Sequence, residues 1–131
     1  MTQEEKIDQA IWFAVRELLT HFRNFPEVEP LEIVKELGLT KENVEKYNIP
    51  TRGTKRDYKC VWTPNLYQQQ AAFWKTDLWK SILVRVKAEP FKFVPFFTEV
   101  LSKNRFTSLW KEVPNYGPNK KAIETLKGMI Q

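Results

Sequence analysis

Apolar residues recur every three or four positions through the first segment of the chain, at Ile7, Ile11, Ala14, Val15, Leu18, Leu19 and Phe22. This spacing puts them on one stripe of a helix. Thr2, with Glu5 three residues later, forms the sequence pattern of a capping box, and Pro26 lies beyond the stripe. The pattern predicts a helix from about Gln3 to Arg23. Pro30 then opens a short helix, Leu31 to Leu37. Gly38 closes it, because glycine accepts the left-handed conformation that a helix end often requires. Thr40 caps a third helix from Lys41 to about Asn48, which Pro50 ends.

The pattern is lost over Thr51 to Lys59, where turn formers and basic residues replace apolar ones, and this stretch reads as an exposed loop. The segment 57–62 reads as a short strand or hairpin with Tyr58, Cys60 and Trp62 on one face. From Thr63-Pro64 to Pro90 there is neither glycine nor proline. Leu66, Tyr67, Trp74, Leu78, Ile82 and Leu83 form one face of a long helix, with Gln68, Lys75, Lys80 and Lys87 turned to water and a break expected near Trp79. The β-branched stretch Ile82 to Val86 also admits a strand. Phe91, Phe93, Phe96, Phe97, Val100 and Leu101 predict an aromatic-rich helix after Pro95, and the three phenylalanines from 93 to 97 are assigned to the core. A short helix near Thr107 to Val113 follows. The turn Pro114 to Pro118 then leads to a last amphipathic helix, Asn119 to Ile130, with Ala122, Ile123, Leu126 and Ile130 facing inward.

The expected fold is mainly α, a helical bundle forming one domain over residues 1–131. Within it, 1–50 makes a three-helix unit, 51–63 a basic loop and 64–131 a helical part. A chain of 131 residues is long enough to bury one core, and its apolar fraction of 42% with 14% aromatics is that of a folded protein. No apolar run approaches the roughly 20 residues that cross a bilayer, and the acidic, polar start is not an export signal. The single cysteine, Cys60, has no partner in the chain for a disulfide. A reducing cytoplasm is therefore the expected location.

Catalytic sets are not evident. His21 is the only histidine, and it falls between Leu18 and Phe22 near the end of the first helix, where an interaction with the helix dipole accounts for it. Carboxylates are dispersed, with Glu27 beside Glu29 and Asp57 beside Lys59 the only pairs of interest. The four glycines are also scattered, so no phosphate-cradling loop is present. No enzyme activity, cofactor, metal or small-molecule substrate is inferred. The net charge of +5 and pI near 9.3 instead favour an anionic partner, either nucleic acid or an acidic protein.

Two segments carry that expectation. Residues 31–49 have Ile33, Val34 and Leu37 before Gly38, then Leu39, Val44 and Tyr47. This core pattern resembles the helix-turn-helix superfamily, in which two helices cross around a tight turn. The resemblance implies DNA binding, with Thr40 to Lys46 facing the major groove and Lys41, Asn43 and Lys46 touching phosphates or base edges. Glu42 and Glu45 depart from what a reading helix needs, since they repel phosphates, and no arginine is present to grip guanine. The second segment is the basic loop. Arg52, Lys55, Arg56 and Lys59 supply charge for a phosphate backbone, and the flanking Tyr58 and Trp62 supply rings for exposed bases. The alternative is a helical protein-interaction subunit, either part of a larger nucleoprotein assembly or an inhibitor docking on another protein. The abundance of aromatics on amphipathic helices supports that alternative.

Overall fold

The computed structural model describes residues 2–24, 29–47, 70–103 and 117–131, and these are almost entirely helical, with no strand among them. Six helices have defined bounds: α1 (Gln3–Asn24), α2 (Glu32–Glu36), α3 (Lys41–Lys46), α4 (Asp77–Ala88), α5 (Pro90–Lys103) and α6 (Gly117–Gly128). Residues 70–74 form a further helical turn ahead of α4. The expected strand at 57–62, the basic loop at 51–63 and the short helix at 107–113 lie outside the described residues.

The first helix follows its predicted bounds closely. Half of its capping box forms, with the Glu5 N–H donating to Thr2 Oγ1 at 3.1 Å. Its burial goes beyond the predicted stripe. From Ala10 to Leu19 every residue except Phe13 is buried, including Arg16 and Glu17, which are not part of the apolar stripe. The Arg16 guanidinium lies 4.7 Å from the centre of the Phe13 ring. Such burial on all sides marks a central helix, and α1 packs against both α5 and α6. The last helix also packs on α5, and α5 on α4. Burying a large apolar side chain contributes about 1.5–3 kcal/mol, so Trp12, Leu18, Leu19, Phe93, Phe97 and Leu126 together anchor the fold.

The long predicted helix is broken, at Lys75 and Thr76 rather than near Trp79. Thr76 accounts for the position: its Oγ1 accepts from the Trp79 N–H at 3.3 Å and its hydroxyl donates to the Phe73 carbonyl at 2.6 Å, so one side chain ends one helical turn and starts the next. Ile82 to Val86 is helical, with Ile82 and Val86 fully buried, which removes the strand option. Lys75 and Lys80 are exposed as expected. Lys87 is not turned freely to water, because it is half-buried between α4 and α1, in ion pairs with Glu4 and, at 2.7 Å, with Asp8.

The aromatic helix starts at Pro90, not after Pro95, so Pro95 sits inside it. Proline fits the first helical position because the N–H it lacks would have no partner there. Pro95 is a different case, since it cannot donate to the Phe91 carbonyl one turn earlier. It is tolerated on the exposed side of the helix, where Phe91 is also exposed. Phe93 and Phe97 are buried and Phe96 is partly buried against the core, as the sequence predicts. The last helix begins at Gly117, two residues before its expected start, and buries Ala122 and Leu126 with Ile123 and Ile130 half-buried.

Candidate nucleic-acid interface

The α2–α3 pair is built around Gly38, whose φ of +82° is the left-handed conformation expected at a helix C-terminus. The Gly38 N–H donates to the Lys35 carbonyl at 2.9 Å and the Leu39 N–H to the Val34 carbonyl at 3.3 Å. These two bonds close α2 as a Schellman motif, and its usual apolar contact pairs Val34 with Leu39, both buried. Thr40 then caps α3, its Oγ1 accepting from the Asn43 N–H at 3.2 Å.

The helix-turn-helix resemblance implies a phosphate or base-edge contact for Asn43. Its side-chain amide instead donates to the Gly38 carbonyl at 2.9 Å, and the residue is half-buried. It holds the turn that joins the two helices, a task the sequence pattern does not reveal because the bond spans five residues of irregular backbone.

Lys41 and Lys46 are exposed at the two ends of α3, as a phosphate contact requires, yet neither stands in a positive field. Lys41 Nζ pairs with Glu29 Oε1 at 3.0 Å, and that hydrogen bond, reinforced by the lysine charge, holds the Glu29 carboxyl below its ordinary pKa. Lys46 lies 5.3 Å from the centre of the Tyr47 ring. Glu42 and Glu45 are exposed between the two lysines. On α2, Lys35 pairs with Glu32 at 3.5 Å. Glu36 is bound by Lys92 of α5 at 2.6 Å, and this hydrogen bond keeps its carboxyl below the usual range. A cleft of about 410 Å³ between Glu29, Pro30, Lys35, Thr40, Lys41 and Glu42 is accordingly lined by both signs of charge.

The charges are also segregated along the chain. Residues 1–50 contain ten acidic and six basic side chains, whereas residues 51–131 contain six acidic and fifteen basic ones. The helix pair therefore belongs to the acidic part of the molecule. Of the expected site residues, Lys41, Asn43 and Lys46 share one helix; Arg52, Lys55, Arg56, Lys59 and Trp62 lie outside the described residues. Among the described residues no three histidine, cysteine or carboxylate side chains come together to hold a metal, and no helix is long and apolar enough to cross a membrane.

A cluster of aromatic rings not evident from the sequence lies where α1 meets α4. Trp12 lies against Phe73, Trp74 and Trp79 with ring centres 5.6–5.9 Å away. Its Nε1 donates to Gln70 Oε1 at 2.8 Å, across 58 residues of sequence. Trp12 follows Ile11 on a flank of the apolar stripe, so only the unusual width of that stripe hinted at a second buried face.

The fold thus defines a mainly α protein. Compared with known protein families, with curated proteins and with solved structures, the chain shows no match.

Proposed function

We propose that this chain is a non-catalytic nucleic-acid-binding protein. It grips the phosphate backbone through Arg52, Lys55, Arg56 and Lys59, with Trp62 offering a ring to an exposed base. The α2–α3 pair serves as a scaffold rather than a reading head. The observation that supports this assignment is the neutralisation of the helix pair: Lys35 lies on Glu32, Lys41 on Glu29, and Asn43 on the Gly38 carbonyl. Basic residues are denser further along the chain, where four cations fall within eight residues that hold one acid, Asp57. Cys60, directly after Lys59, fits a reducing cytoplasm.

The test is a binding titration against single- and double-stranded DNA and RNA at two salt concentrations. Four phosphate contacts give a slope near −3 to −4 in log K against log salt. Replacing Arg52, Lys55, Arg56 and Lys59 by alanine is expected to abolish that dependence, and Lys41→Ala with Lys46→Ala to change it little. If the wild-type chain binds no nucleic acid in a salt-sensitive way, the proposal is wrong.

A specific observation favours the second reading, a helical interaction subunit. Phe91 is 75% exposed and Val84 is 69% exposed, on consecutive helices. Large apolar groups left to water suit a protein contact. Co-purification of a protein partner that is lost on Phe91→Ser and Val84→Ser, with no nucleic-acid binding, would decide for this reading.

A further inference from the structure

A cleft of about 290 Å³ opens beside the first turns of α1, lined by Glu5, Asp8, Gln9, Trp74 and Trp79. It lies at the small end of the range for ligand sites, about 300–1,000 Å³, and suits one side chain rather than a larger molecule. Its floor is aromatic. The Trp74 and Trp79 rings lie 19° from parallel with centroids 6.3 Å apart, and Trp12 meets both edge-on behind them. The hydrogen bond from Trp12 to Gln70 fixes that third ring. Trp79 is 4% exposed whereas Trp74 is 37% exposed, so the platform is held from within and offers its outer ring to solvent.

The rim is acidic. Glu4, Glu5 and Asp8 all lie in the first two turns of α1. Lys87 engages Glu4 and Asp8. Glu5 has no ion-pair partner among the described residues, and it faces the cleft alongside the two tryptophans.

A flat aromatic face bordered by an uncommitted carboxylate complements the guanidinium group better than other cations. Guanidinium is planar and weakly hydrated, stacks on indole, and presents a fork of donors that matches a carboxylate. An ammonium has the charge without the plane or the fork. A nucleotide has the plane, but its phosphates would meet three carboxylates. We propose that this cleft takes an arginine side chain from a basic segment of a partner protein, stacked on Trp74 and forked onto Glu5. Its carboxylates are opposite in charge to the basic segment proposed above for nucleic acid. Lys87 acts at this site as an internal competitor, drawing Asp8 and Glu4 away from the incoming group.

The test follows the indole N–H signals of the full chain by NMR, with the Trp74 signal assigned from Trp74→Phe. The titrants are an end-blocked Gly-Gly-Arg-Gly-Gly peptide and its lysine counterpart. The arginine peptide is expected to shift the Trp74 signal saturably, and the lysine peptide to bind about fivefold more weakly. Glu5→Gln, at an exposed position, should weaken binding about three- to tenfold. Lys87→Met should strengthen it about two- to fivefold by releasing Asp8 and Glu4. The proposal is overturned if no saturable shift is seen, if the two peptides bind equally, or if Glu5→Gln leaves the affinity unchanged.

Discussion

A Cβ placed on Gly38 would stand 2.9 Å from Leu78 Cδ1, so the turn between α2 and α3 is pressed directly onto the first turn of α4. The left-handed backbone requires glycine at this point, and any added Cβ would also have to push the Leu78 methyl aside. Gly38→Ala is expected to destabilise the protein by about 2–5 kcal/mol, from roughly 1–2 for the backbone and 1–3 for overpacking. Adding Leu78→Ala should relieve the steric part and leave the backbone part. Urea denaturation of the two single variants and the double variant measures this, and strictly additive losses would show that the two residues do not press on one another.

Pro95 interrupts the hydrogen bonding of α5 in its second turn, at an exposed position. Pro95→Ala restores an N–H for the Phe91 carbonyl and removes the clash of the ring with it. A proline inside a helix costs about 3 kcal/mol. Part of that cost has already been absorbed by local adjustment, so a gain of about 1–2 kcal/mol is expected. Thermal unfolding would show it as a rise in Tm, and an unchanged or lower Tm would mean that the missing hydrogen bond carries no net cost here.

Trp12 is the hub of the aromatic cluster and is buried to 1% exposure. Trp12→Ala is expected to cost about 3–5 kcal/mol through the cavity it leaves. Trp12→Phe should cost less, since it retains a ring but strands the Gln70 carbonyl oxygen. Because Trp12 backs the two outer rings, both variants should also shift the Trp74 and Trp79 indole signals. A Trp12→Ala protein of wild-type stability would contradict the burial described here.

Lys87 ties α4 to α1 across 83 residues of sequence. Burial pulls its pKa down, but hydrogen bonds and charge from Asp8 and Glu4 outweigh burial and raise it above 10.5. A cation with a raised folded-state value contributes stability that is fully present below its unfolded value and lost as pH rises through the folded one. Stability of the wild type should therefore fall more steeply above pH 10.5 than that of Lys87→Met. Unfolding free energies from pH 8 to 12 check this, and parallel curves would exclude a linked proton at Lys87.

Helices α1, α2, α3 and α6 were legible in the amino-acid pattern because each rests on local rules. Thr2, Thr40, Gly38 and the three-to-four spacing of apolar residues act within a few positions of one another. Where two local signals compete, the pattern misplaced the boundary. Thr76 stops one helical turn and caps the next, and Pro90 starts a helix that continues past Pro95. The candidate site was legible only as residue types. Lys41 and Lys46 were placed correctly at the surface of α3, but the engagement of Lys41 by Glu29 and of Asn43 by Gly38 depends on backbone folded back on itself.

The sequence by itself determined that this chain is mainly helical, where most of its helices begin and end, and how its charge divides between an acidic first part and a basic remainder. Tertiary structure alone decided which groups meet. Trp12 reaches Gln70, Gly38 reaches Leu78, and Lys87 reaches Glu4 and Asp8. The physical reason is range: helix propensity and capping are set by neighbours within one or two turns, whereas these contacts join residues brought together only when the apolar faces of α1, α4 and α5 are buried at once.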